Sequence, residues 1–269
     1  MAIRTILLLA HDDGGQPARY QAAVDIVRAL DGHLICLDVV ALPTPVVDYV
    51  SRTGAAVALA GEIEREALNR DRLDRRLHEA AIPFDWIERD GSIAGCLVDA
   101  AALADLIILN AGTDPAAAPD MTAIVGAVVT RSGRPVLAMP PHQIGFHPHG
   151  RAMIAWDGSP PAANALRASI GLLQHAAAVR IVTIDDGSVA IDPEDAATYL
   201  SRAGVHAEVR RIRDRSHPPE RLLHFECGQW HADYCVMGAY SRNRLSEAVL
   251  GGVTRALLAG SAFPLILAH

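Results

Sequence analysis

The chain has 269 residues, with 24 basic against 31 acidic side chains for a formal charge of −7, and 51% of its residues are apolar against 20% charged. That balance can bury a core and excludes a disordered or collagen-like chain. All 24 basic residues are arginine, which excludes a P-loop ATPase using its motif lysine, a Schiff-base enzyme and a protein kinase.

Short apolar runs alternate with longer stretches of helical spacing, the pattern of βαβ units around a parallel sheet. Ile6 to Ala10 reads as a strand, Pro17 to Leu30 as a helix and His33 to Val40 as a second strand. Ala55 to Ala80 reads as one helix or two. Its arginines and acids at helical spacing describe a surface helix laced with i,i+4 pairs. A strand at Phe84 to Glu88, a helix at Ile93 to Leu103 and a strand at Asp105 to Asn110 follow. A helix over Ala123 to Arg131 then leads into a strand at Pro135 to Met139.

The order begins again. Strands are expected at Ala152 to Trp156, Val179 to Ile184, Ala207 to Ile212, Tyr234 to Met237 and Pro264 to Leu267. Helices fall between them at Ala162 to Leu173, Pro193 to Ala203, Pro219 to Trp230 and Val253 to Ala259. Ala10-His11-Asp12-Asp13 lies over Ala155-Trp156-Asp157-Gly158, and Ser132 to Leu137 lies over Gly260 to Leu265. The chain is therefore read as two tandem α/β domains, residues 1–141 and 150–269, each an open parallel sheet. The Pro/Gly/His-rich stretch 142–149 between them reads as a solvated linker.

A pI of about 5.9 and 4% aromatic residues supply neither the charge nor the stacking surface that nucleic acids require. Four scattered cysteines, with no C-x-x-C pair, suit a reducing compartment. The apolar start is too short to span a membrane and lacks a signal cleavage pattern. A cytoplasmic protein with neither nucleic-acid nor membrane partners is expected.

In an open parallel sheet, ligands bind beyond the carboxyl ends of the strands, where strand order reverses. In the second half those positions hold Asp157-Gly158-Ser159, Ile184-Asp185-Asp186 and Gly238-Ala239-Tyr240-Ser241. Gly251-Gly252 then opens the last helix, followed by Val253, Thr254 and Arg255. A helix start of this kind holds phosphate through unpaired N–H groups and the helix dipole, without lysine. A tight turn into the helix is the alternative use of the glycine pair.

Met237-Gly238-Ala239-Tyr240-Ser241 with Leu250-Gly251-Gly252-Val253-Thr254-Arg255, closing on Pro264-Leu265-Ile266-Leu267, resembles the signature of the universal stress protein family. The ATP-binding members of that family show Gly-x2-Gly-x9-Gly-(Ser/Thr) between the fourth strand and the last helix, and an Asp after the first strand. The resemblance covers the whole second half, and the duplicated layout is similar to tandem members. It implies a Rossmann-type, adenine nucleotide α-hydrolase-like fold whose two copies pair as an internal pseudo-dimer, with a homodimer as a further possibility.

The same resemblance implies that Asp157 contacts adenosine, that Ala155 and Ile184 line the adenine slot, and that Met237 and Gly238 flank the ribose. Ser241, Gly251, Gly252, Val253 and Thr254 would hold the phosphates of ATP, or of AMP or another adenine nucleotide, with Mg²⁺. Two departures weaken this site. Ser241 stands at the motif's second glycine and Gly252 at its Ser/Thr. In the first half Asp12 keeps the carboxylate, but Asn110-Ala111-Gly112-Thr113-Asp114-Pro115 replaces the motif and brings acids where phosphate would sit. That half is expected not to bind nucleotide.

No catalytic residues are expected. The site has no paired carboxylates and no positioned lysine, so a regulatory, stress-linked role with at most slow hydrolysis is implied. Two other readings stand beside it. One is a pure interaction module of the same fold, acting on an unknown protein partner. The other is an ATP-hydrolysing enzyme of the α-hydrolase-like group, whose Ser-Gly-Gly-x-Asp-Ser loop this chain lacks. No metal site is expected. His142, His147 and His149 belong to the linker, His217, His224 and His231 read as surface or partly buried, and Arg210 to Arg215 reads as the end of a strand and a solvated loop.

Overall fold

A computed structural model describes residues 2–41, 52–112, 119–185, 187, 189–240 and 252–269, the side chains of 41 and 52–58 excepted. The first half runs β1 (Thr5–Leu9), α1 (Gln16–Leu30), β2 (His33–Ala41), α2 (Arg52–Ala80), β3 (Phe84–Gly91), α3 (Ile93–Ala100), β4 (Leu106–Asn110), α4 (Met121–Ser132) and β5 (Val136–Met139). The second runs β6 (Arg151–Ala155), α5 (Pro160–Leu173), β7 (Ala178–Ile184), α6 (Pro193–Arg202), β8 (Ala207–Ile212), α7 (Pro219–Trp230), β9 (Tyr234–Gly238), α8 (Gly252–Gly260) and β10 (Leu265–Ala268). The expected helix to Leu103 stops earlier, at Ala100, and tightens into a 3-10 turn at Ala101–Leu103.

Ten strands form one sheet in the order β3-β2-β1-β4-β5-β10-β9-β6-β7-β8. Each half contributes the same arrangement, read in opposite directions from the middle. Pairing is parallel within each half and antiparallel where β5 meets β10, with Ile266 opposite Leu137. The two copies therefore join last strand to last strand, which is how the internal pseudo-dimer implied by the resemblance is made.

Parallel strands covered on both faces read as apolar runs, as β1, β4, β5, β9 and β10 do, whereas the edge strands β3 and β8 carry charged residues. In β1, Ile6 and Leu8 enter one core and Leu7 and Leu9 the other, as a two-residue side-chain period requires. Each core takes residues from both halves. The stretch between the halves is pinned at Phe146 and at His149, whose carbonyl accepts the Ala177 N–H. His142, His147 and His149 are exposed, but Phe146 is buried. Its N–H donates to the Asp25 carboxylate at 2.9 Å and its ring packs on Tyr234.

The surface-helix reading of α2 needs correction. It is one continuous helix of 29 residues, and Glu66, Asn69, Leu73 and Leu77 form a buried stripe along it. Spacings of three and four residues put these side chains on one face. Several of its charged residues reach across to other elements instead of pairing along the helix, as Arg70 does with Glu88 and Arg72 with Asp12.

Candidate functional site

Strand order reverses between β1 and β4 in the first half and between β6 and β9 in the second. The carboxyl ends of these strands are thus the two places where a ligand would sit.

In the second half Ala155 ends β6 and lies in register with Met237 on β9, both buried. Ile184 ends the neighbouring β7, half-buried. Asp157 is exposed, and its Oδ1 accepts the Ser159 N–H at 3.0 Å. Ser159 caps α5, its hydroxyl accepting the Ala162 N–H. Gly158 has φ of +73° and abuts the backbone of Ala190 and Ile191, a place no side chain could occupy. Trp156 Nε1 donates to the Ile191 carbonyl at 2.8 Å, tying the segment before α6 against the end of β6.

Gly238 closes β9 against the start of α5: a Cβ there would lie 2.4 Å from Ala162 N. Gly252 opens α8 with no such constraint among the described residues. Its φ is not left-handed and its Cβ direction is open. Thr254 is buried in the first turn of α8 and Val253 half-buried. Ala155, Asp157, Ile184, Met237 and Gly238 are thus brought to one end of three adjacent strands. Ser241 and Gly251 lie outside the described residues, as do Arg242 and Arg244.

The corresponding place in the first half is filled by the chain itself. Arg19, on α1, is fully buried. Its Nε donates to the Leu9 carbonyl at 3.0 Å and its Nη2 to the His11 carbonyl at 2.8 Å. Its Nη1 donates to Asp13 Oδ1 at 2.8 Å and to Asn110 Oδ1. Asn110 ends β4 as Gly238 ends β9, and its Nδ2 donates onward to the Gly15 and Met139 carbonyls. Here the glycine is on the helix side, since a Cβ on Gly15 would meet the Asn110 side chain. The start of α4 is capped as well: Asp120 Oδ1 accepts the Ala123 N–H at 3.0 Å. A carboxylate already holds the helix start where an anion would bind.

Next to Arg19 lies a second buried polar group. Gln16 Nε2 donates to Asn69 Oδ1 at 2.7 Å, and Asn69 Nδ2 donates to the Ala10 carbonyl and to Glu66. His11 Nδ1 stands 2.6 Å from Glu66 Oε1, close enough for an ion pair though not aligned as a hydrogen bond. One ligand atom each from His11, Glu62 and Glu66 lies within 4.8 Å of the other two. Burial alone would lower the His11 value, but the Glu66 carboxylate beside it more than offsets this and raises it. Burial would raise Glu66, and His11 with the Asp12 and Asn69 donors brings it below the usual carboxylate range. Asp38, within β2, is pushed up to about 6 by burial and by Glu66.

The sequence did not point to Arg19, Asn110, Asp38 or the His11–Glu66 pair. The available signals were the i,i+4 spacing of Glu62 and Glu66 and an acidic pair, Asp12-Asp13, ahead of an arginine in the first turns of a helix. The arginine-rich strand end reads out largely as expected: Arg211 pairs with Asp192 and Glu194, and Arg213 lies 3.6 Å from Asp185. Cavities of about 370 Å³ beside His224 and Phe263, and about 530 Å³ beside Arg151 and Trp230, lie at the opposite, amino ends of the strands.

No protein-family model matches the chain, and no curated protein matches it. Solved structures do. A universal stress protein from Archaeoglobus fulgidus DSM 4304 superposes with a TM-score of 0.74 at 14% identity, over 98% of this chain and 97% of that one. A protein from Pseudomonas aeruginosa UCBPP-PA14 assigned to the same class gives 0.59 at 17% identity, over 99% of this chain and 93% of that one. A functionally unknown protein from Pseudomonas aeruginosa PAO1 gives 0.58 at 17%, over 99% and 92%. At these identities the likeness establishes the fold. The chain is built end to end as universal stress proteins are, in two copies.

Proposed function

We propose that this chain is a tandem universal stress protein that binds one adenine nucleotide in its second half and serves a regulatory role in the cytoplasm. Its units are 1–141 and 150–269, joined by 142–149. The reading is supported most by one exchange between the halves. Where the first half closes the strand ends with Asn110 and caps its last helix with Asp120, the second half has Gly238 and a helix opening on Gly252. Gly252 has no conformational or packing requirement among the described residues. Backbone N–H groups held open at a helix start are suited to an anion.

In this reading Ala155 and Ile184 line the base, Asp157 meets the adenosine, and Met237 and Gly238 lie beside the ribose. Ser241, Gly251, Gly252, Val253 and Thr254 cradle the phosphates, with Mg²⁺ carried by the nucleotide. ATP is the expected ligand, and occupancy rather than turnover is the signal passed to a protein partner. Gly252→Asp tests the assignment. The open Cβ direction lets the fold survive, while the new carboxylate sits against the phosphates. Affinity for ATP, measured by equilibrium dialysis, should fall at least a hundredfold. Unchanged affinity removes the site from the second half. The interaction-module reading rests on Ser241, whose side chain stands where the motif has a glycine, and it gains if the parent chain binds no nucleotide.

A further inference from the structure

We infer that the first half holds a divalent transition-metal site built by His11, Glu62 and Glu66, with the buried Asp38 carboxylate beside Glu66. The site is independent of the nucleotide reading and sits between the turn after β1 and the inner face of α2. Glu62 and Glu66, one helical turn apart, present their carboxylates to the same side. His11 enters from the β1–α1 turn, and one donor atom from each of the three lies within 4.8 Å of the others.

Burial sets this cluster apart from an ordinary acidic patch. His11 is 4% exposed, Glu66 1% and Asp38 8%. Buried polar atoms are nearly always satisfied, yet Asp38 Oδ1 has no hydrogen-bond partner among the described residues, and His11 Nδ1 meets only the Glu66 carboxylate. Both belong to side chains grouped around Glu66. Among the described residues no cationic side chain pairs with Asp38. Arg65 Nη2 lies 2.6 Å from Glu62 Oε2 and 3.8 Å from Glu66 Oε1, on a side chain that is half exposed. Arg70 faces Asp38 but pairs with Glu88, and Arg72 approaches Asp12.

One imidazole nitrogen with two or three carboxylate oxygens is a donor set for Zn²⁺, Co²⁺, Mn²⁺ or Fe²⁺, and has no thiolate for a softer ion. Bonds of about 2.0–2.2 Å to such an ion hold its ligands about 3–4 Å apart, so small side-chain rotations close the present spread. Binding places the ion between His11, Glu62 and Glu66, where the Arg65 guanidinium now approaches the two carboxylates.

The test uses the full chain, stripped with a chelator and free of nucleotide, titrated with Co²⁺ and read by its visible d–d absorption. One equivalent should bind, be displaced by Zn²⁺ and raise the melting temperature. Glu62→Gln, at a half-buried helix position that preserves the fold, should weaken Co²⁺ at least tenfold. His11→Gln and Glu66→Gln, checked by near-ultraviolet circular dichroism for folding, should abolish the bands. Absence of bands in the parent chain overturns the site. So do bands that persist unchanged in Glu62→Gln, because the ion then sits on other histidines. If the two buried variants fail to fold, Glu62→Gln decides alone.

Discussion

The two halves place their strands alike and finish the carboxyl ends of those strands in opposite ways. In the first, Arg19 is fully buried and bridges Leu9, His11, Asp13 and Asn110, while Asp120 caps the last helix. In the second, glycine closes β9 and glycine opens α8. The difference teaches that the end of such a sheet cannot be left as bare polar backbone. Unpaired buried groups cost enough that either the chain or a ligand must satisfy them. One half carries its own guanidinium and carboxylate in the place where, on our reading, the other takes a nucleotide.

Arg19→Met breaks the comparison most severely. It leaves Asp13 as an uncompensated charge and strips donors from two backbone carbonyls. Loss of one partner from a buried pair costs about 3–5 kcal/mol, and chemical denaturation should show a loss of that size. A loss within the scatter of surface substitutions would mean that the network is not what closes this half. Arg19→Lys should recover little, because a point-like ammonium cannot reproduce the forked contacts.

A smaller effect is expected from moving the first half's residue into the second. Gly238→Asn places a Cβ 2.4 Å from Ala162 N and 2.7 Å from Pro161 C. These are backbone atoms that cannot swing aside, and overpacking of this kind costs about 1–3 kcal/mol. The melting temperature should fall and nucleotide affinity with it. A variant as stable as the parent would show that α5 and β9 are further apart than described. The smallest effect should come from Asp12→Ala. Its carboxylate lies near Arg65 and Arg72 at the surface, so nucleotide affinity should be unchanged within error. A tenfold loss would show that the first half binds as well.

Most of the fold was legible because strands buried on both faces are runs of apolar residues, as in Leu106–Asn110 and Tyr234–Gly238, and little else reads that way. The repeated order of elements carried the two copies, and the joining of those copies came from the family resemblance alone. The inner face of α2 was not legible. Glu62, Glu66 and Asn69 sit among arginines at i,i+3 and i,i+4 spacing, which is also how a solvated helix reads. The turn after β1, Gln16 and Tyr20 of α1 and Asp38 of β2 reveal that this face is covered. Arg19 was hidden for a related reason. Arginine is ordinarily exposed, and its acceptor Asn110 lies far along the chain. Phe146 sat unnoticed among prolines, glycines and histidines until Tyr234 and Asp25 gave it partners.

The central claim is that one half is closed by its own side chains and the other binds an adenine nucleotide. The most direct measurement is a calorimetric titration of the purified chain with ATP and Mg²⁺, after stripping and identifying any nucleotide it carries. The account predicts one nucleotide per chain, lost in Gly252→Asp and kept in Asp12→Ala. Two nucleotides per chain, or no heat together with no nucleotide released, would contradict it.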